Sequence, residues 1–114
     1  MIPEELLHYI GGKHVPSADG TTFGVTDPVS NQVYAHVASG GAEDVDRAAE
    51  AATAAFRTGP WPGMAARARA RVLNKIADAI EARGTQIADH ETYDTGLPVT
   101  QARGQAARAS RSPA

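Results

Sequence analysis

Hydrophobic positions change their period near residue 40. Upstream, short apolar runs are punctuated by turn residues. Leu7 to Ile10 is a compact apolar-aromatic run closed by Gly11-Gly12, which predicts a hairpin. Val15-Pro16 leads to Asp19-Gly20, a tight-turn pair, and Thr22 to Thr26 is rich in residues that suit a pleated strand. Asp27-Pro28 stops that strand and Ser30-Asn31 supplies turn chemistry. From Gln32 to Ala38, Val33, Ala35 and Val37 alternate with Tyr34 and His36, the period of a strand with one buried face.

After Ser39-Gly40-Gly41 the period becomes helical. From Ala42 to Arg57, Val45, Ala48, Ala49, Ala52, Ala55 and Phe56 form one stripe, and Glu43, Asp44 and Asp46 fall where the helix dipole favours anions. Gly59-Pro60-Trp61-Pro62-Gly63 breaks this helix. A second helix is predicted over Ala65–Arg83, with Val72, Leu73, Ile76 and Ile80 as its seam and Gly84 as a left-handed C-cap. A shorter helix follows over Thr85–Asp94, ended by Gly96-Leu97-Pro98. A fourth is predicted from Val99 to Ser110. The chain is therefore strand-rich over 7–38 and helical over 42–110.

Composition makes this pattern unusual. Hydrophobic residues are 42% of the 114, an ordinary share, but 23 of these 48 are Ala. So short and Ala-rich a chain predicts a thin core unless its helices pack on something else. Net charge is −2, divided into −5 over residues 1–64 and +3 over 65–114, which gives no general attraction to nucleic acid or membrane. Met1-Ile2-Pro3-Glu4-Glu5 lacks the basic and apolar regions of a signal peptide, and no apolar run approaches the roughly 18 residues of a membrane span. A cytoplasmic location is expected.

Candidate chemistry is sparse. With no cysteine there is no disulfide, thiolate metal site or thiol nucleophile in these residues. His8, His14, His36 and His90 show no ligand spacing on one element; His8 and His36 would meet only by strand pairing. Arg67, Arg69, Arg71, Lys75 and Arg83 lack interleaved aromatics and are interrupted by Asp78 and Glu81, so a solvated, ion-paired helix face is expected rather than a nucleic-acid surface. Trp61 is expected to cover the gap between the first two helices.

The order of motifs carries more. Tyr9-Ile10-Gly11-Gly12-Lys13, Phe23 to Pro28, and Gly40-Gly41-Ala42-Glu43-Asp44-Val45-Asp46-Arg47-Ala48 are followed by Phe56, Trp61, Arg69 to Leu73, Ile76-Ala77-Asp78 and Asp94-Thr95-Gly96-Leu97-Pro98. Taken collinearly over residues 7 to 110, this resembles the amino-terminal part of NAD(P)-dependent aldehyde dehydrogenases. Asp27-Pro28 replaces the usual Asn-Pro, and His90 stands where Leu is common, which is expected to loosen that helix's packing. Gly96-Leu97-Pro98 with Gln101 and Arg108-Ala109-Ser110 is similar to the semialdehyde dehydrogenases of aromatic-ring degradation, such as those acting on hydroxymuconic semialdehydes.

The resemblance implies an α/β parent fold, of which this chain is a few short antiparallel strands followed by three or four helices. It would be an incomplete amino-terminal part of the cofactor-binding domain, spanning 1–114. The parent would oxidise an aldehyde to a carboxylic acid with NAD or NADP, as a homo-oligomer. That chemistry needs a Cys thiolate and a Glu-activated water. No residue here matches the nucleophile, the general base or the nicotinamide site, so no catalytic or cofactor residue is assigned and the chain alone is expected to be inactive. Arg111-Ser112-Pro113-Ala114 replaces the aromatic continuation of the family's helix, which predicts truncation by a stop, a frameshift or partial expression. One family site does fall inside the chain: a sodium or potassium ion, with Val25, Thr26 and Asp94 at the matching positions. The competing reading is a free-standing α+β interaction module without catalysis, because element order fits both.

Overall fold

The computed structural model describes residues 2–109. Two compact units emerge: the residues up to Thr26 together with Val33–Met64, and Asp27–Gln32 together with the residues from Ala65 onward.

The first unit holds β1 (Glu5–Leu6), β2 (His8–Ile10), β3 (Lys13–Val15), β4 (Thr22–Thr26), β5 (Val33–Ala38) and α1 (Ala42–Thr58). The Gly11-Gly12 hairpin joins β2 to β3 antiparallel, with Ile10 opposite Lys13. Both glycines have positive φ, 60° and 79°, as a two-residue primed turn requires. A second sheet has the order β1-β5-β4, with β4 and β5 antiparallel. The two-residue β1, which the sequence pattern did not reveal, pairs parallel with β5, Glu5 opposite His36. It is too short to show a period.

As the central strand, β5 departs from simple alternation. Ala35 and Ala38 are both buried, Tyr34 and Val37 are half-buried, and Val33 stays 55% exposed. Side chains of both parities are covered, as in a strand with neighbours on both sides and no fully solvated face. In α1, Asp44 is buried and Ala51 half-buried, whereas the apolar stripe of Val45, Ala49, Ala52 and Phe56 is exposed. Trp61, expected to be mostly buried, keeps 40% of its surface. Its segment is a turn closed by the Met64 N–H donating to the Trp61 carbonyl at 3.2 Å.

The second unit is helical: α2 (Ala66–Ala82), α3 (Gly84–Thr95) and α4 (Val99–Ala109). Contacts of α3 with α4 dominate, and Ala88, Ala102 and Ala106 are its buried residues. Along the α2 seam, Val72 and Ile80 are half-buried, while Leu73 and Ile76 remain 56% and 51% exposed. Gly84 is not a left-handed C-cap. Arg83, at φ −106° and ψ 9°, turns the chain directly from α2 into α3, and Gly84 is the first α3 residue. Because a bridge-region Arg83 makes the corner, no positive φ is needed there. The left-handed cap lies at Gly96, φ 72°, whose N–H donates to the Thr92 carbonyl at 3.0 Å. The expected helix stop at Arg111-Ser112-Pro113-Ala114, and the final residue of the expected fourth helix, lie outside the described residues.

Every buried hydrophobic residue among those described is an alanine: Ala35, Ala38, Ala88, Ala102 and Ala106. Among the described residues no large side chain is fully enclosed. The thin core expected from composition is what folds.

Candidate functional site

The most connected polar group of the first unit is Asp44, 4% exposed at the start of α1. One carboxylate oxygen accepts from the Gly41 N–H at 3.1 Å, the reach-back of an N3 acid to the N-cap residue. The other accepts from the Ala18 N–H at 3.0 Å, tying the 17–20 turn to α1. Arg47 Nη1 lies 3.6 Å away, one turn along, and His8 Nε2 lies 3.9 Å away from β2. His8 Nε2 is buried without a hydrogen-bond partner, so its attraction to Asp44 is an ion pair only when the ring is protonated. Sequence reading recognised Asp44 only as an acid favoured by the helix dipole. The capping-box spacing from Gly41 was a legible signal; the contact with Ala18, 26 residues away, was not.

Two further carboxylates organise turns. Asp19 accepts from the Ser17 hydroxyl at 2.6 Å, and from the Thr21 hydroxyl and amide at 2.7 and 2.9 Å. These donors, led by Ser17, hold its carboxyl down at about 2. Asp27 accepts from the Ser30 hydroxyl at 2.6 Å and from the Val29 and Ser30 amides at 2.9 and 3.3 Å. Ser30 first, then Val29, pull its carboxyl below the ordinary value. All three anions are engaged by backbone and hydroxyl donors. The role these bonds give the three carboxylates is structural.

The residues expected to bind a cation are divided between the units. Val25 and Thr26 end β4 in the first, and Asp94 is the penultimate residue of α3 in the second. The register of β4 with β5 shifts between Val25 and Thr26. Val25 pairs with Ala35 and Thr26 with Val33, so the extra residue of the irregularity is Tyr34 on β5 and both candidate carbonyl ligands keep partners in the ladder. In the second unit, Asp27, Val29, Asp89, Thr92, Tyr93 and Val99 line an open groove of about 350 Å³. Its lining places no thiol, imidazole or glycine-rich loop.

Other sequence candidates are scattered. His8 pairs with Val15 in one sheet and His36 with Glu5 and Gly24 in the other, so strand pairing does not bring the two together. Among the described residues no three His, Cys, Asp or Glu gather. Arg67 and Arg71 are exposed on α2 and Arg69 is half-buried, yet none forms the expected ion pair among the described residues. The cause is local: no acid stands three or four residues from any of them. No helix among the described residues is long and apolar enough to cross a membrane.

Known proteins resemble the chain over most of its length. The profile of the "Aldehyde dehydrogenase family" matches residues 14–112. The chain is 49% identical over 92 residues to aldehyde dehydrogenase family 2 member B4, mitochondrial, of Arabidopsis thaliana, covering 81% of this chain and 17% of that protein. It is 42% identical over 95 residues to 2-hydroxymuconic semialdehyde dehydrogenase of Pseudomonas sp. strain CF600, covering 83% and 19%. The crystal structure of an NAD-dependent aldehyde dehydrogenase from Sinorhizobium meliloti superposes with a TM-score of 0.89 at 34% identity, over 96% of this chain and 22% of that one. The chain thus spans less than a quarter of the length of each of these three relatives, and it belongs to the aldehyde dehydrogenase family.

Proposed function

We propose that these residues are the leading structural segment of the cofactor-binding domain of an enzyme that oxidises an aldehyde or semialdehyde to the carboxylic acid with NAD or NADP. The observation that carries this is the family match over residues 14–112, combined with a superposition that covers 96% of this chain and 22% of a solved relative. The segment's own role is architectural: its carboxylates brace turns and a helix start, and it holds no thiol. The same reading carries a homo-oligomeric parent, a cytoplasmic location, and a sodium or potassium ion with Val25, Thr26 and Asp94 as ligands.

Replacing the matched segment of the Sinorhizobium meliloti enzyme by residues 14–112 of this chain tests the proposal. The chimera should fold and reduce NAD with an aldehyde, while the purified 114-residue chain should give no reduced nicotinamide. An inert chimera, or turnover by the chain alone, would defeat it. If Asp94 ligates an alkali cation, Asp94→Ala should remove any rise in the chimera's melting temperature on adding NaCl or KCl that exceeds the rise in tetramethylammonium chloride.

A further inference from the structure

We propose that the Asp19–Gly20 link is a site of spontaneous isoaspartate formation, held shut by the folded 17–21 turn and released whenever that turn opens. Of the seven Asp and two Asn in the chain, only Asp19 precedes a glycine. The reaction begins with the backbone nitrogen of the following residue attacking the side-chain Cγ, and glycine, without a Cβ, obstructs that approach least. At Asp27 the route is closed, because Pro28 has no N–H proton to lose. Asp19 and Gly20 are both exposed to water, and a methyl added to Gly20 would meet nothing within 4 Å.

In the first step the Gly20 nitrogen gives up its proton and bonds to Asp19 Cγ, while one oxygen of the neutral carboxyl leaves as water. Water then reopens the succinimide ring. Addition at Cγ restores Asp19; addition at the original main-chain carbonyl leaves the chain running through the side chain, which is isoaspartate. One water is lost and one gained, so the product is an isomer. Ring closure therefore needs a neutral carboxyl, a free Gly20 nitrogen and a mobile Cγ, and the folded turn withholds all three. The Ser17 hydroxyl, the Thr21 hydroxyl and the Thr21 amide converge on Asp19 Oδ1 at 2.6, 2.7 and 2.9 Å. Led by Ser17, they hold the carboxyl down at about 2, so it is almost wholly ionised at neutral pH. The Gly20 N–H donates to the Ser17 carbonyl at 3.0 Å, and Ser17, only 4% exposed, anchors the cluster. Isomerisation adds one methylene to the main chain beside Ala18, whose amide bonds Asp44 at 3.0 Å. The lengthened turn no longer fits that junction, so each reaction records an opening irreversibly.

The test incubates the full 114-residue chain near neutral pH with and without guanidinium chloride. Isoaspartate is counted by an isoaspartyl-specific methyltransferase and located by lost cleavage before residue 19 with an Asp-specific endoproteinase. Modification should concentrate at residue 19 and run at least about tenfold slower without denaturant, because the rate follows the open population of the turn. Ser17→Ala and Thr21→Val should each raise the rate without denaturant at least about twofold at unchanged helical circular dichroism, and leave the denatured rate alone. Thr21 is exposed, so its variant tests the gate even where Ser17→Ala unfolds the chain. Equal rates with and without denaturant, isoaspartate arising first at another Asp, or a Thr21→Val chain no faster than the unaltered one would overturn the proposal.

Discussion

Asp44 and His90 show how much a single side chain carries when the core is thin. Asp44→Ala would leave the Ala18 and Gly41 amides without their acceptor, at a cost of about 1–3 kcal/mol in urea unfolding. His90 is the opposite case. Its Nε2 is buried without a partner in α3, so His90→Leu should raise stability by about 1 kcal/mol, and no gain would mean that water reaches the ring. Asp19 gives a pH dependence. Its folded carboxyl sits at about 2, below its ordinary value of 3.8, so its contribution is complete above the ordinary value and is lost as pH falls towards 2. The lowered Asp27 acts in the same direction. Asp19→Asn should flatten the acid side of a stability-versus-pH curve between those values; an unchanged slope would count against the Ser17–Asp19–Thr21 cluster. Sequence made Asp19 legible as a turn residue, because a carboxylate before Gly has a local job. Asp44's second bond was hidden because it depends on where a distant turn arrives.

At the scale of elements, turns and helices were read with most success where one residue type settles the geometry. The Gly11-Gly12 hairpin, the Ser30-Asn31 turn with Asn31 at φ 56°, and the Gly96 stop of α3 all follow from residues that tolerate positive φ. The α2–α3 corner was misread for the same reason, since Gly84 invited a left-handed cap that Arg83 makes unnecessary. Two substitutions separate these roles. Gly96→Ala forces a Cβ into the left-handed region and within 3.3 Å of Pro28 Cγ, so it should cost about 1–2 kcal/mol. At Gly84, φ is not positive and an added methyl meets nothing within 4 Å, so Gly84→Ala should be neutral or stabilising by up to about 1 kcal/mol. Chemical denaturation of both variants checks the pair, and a costly Gly84→Ala would reinstate the original assignment. The parallel β1 was illegible because two residues carry no periodicity.

For the whole molecule, the alanine content that stood out in composition becomes the limiting fact. Burial of alanines alone releases little apolar surface, while Leu73, Ile76, Val45 and Phe56 stay more than half exposed. The purified chain should therefore be marginally stable or aggregate, with dye binding to exposed apolar surface and a broad thermal transition. A sharp, reversible transition of a monomer would contradict this and favour a free-standing module. The family was legible because its motifs occur in order along the chain, although each is weak alone. The chemistry was not, because the residues that would perform it have no counterpart among these 114.

The Asp44 junction has a consequence for how the chain acquires shape during synthesis. Its three polypeptide contributors, β2, the 17–20 turn and the first turns of α1, are all complete by Arg47. Translation proceeds from the amino terminus at about 5–20 residues per second. The knot can therefore tie itself on the ribosome before α2 has emerged to pack, leaving a preformed scaffold waiting for whatever follows.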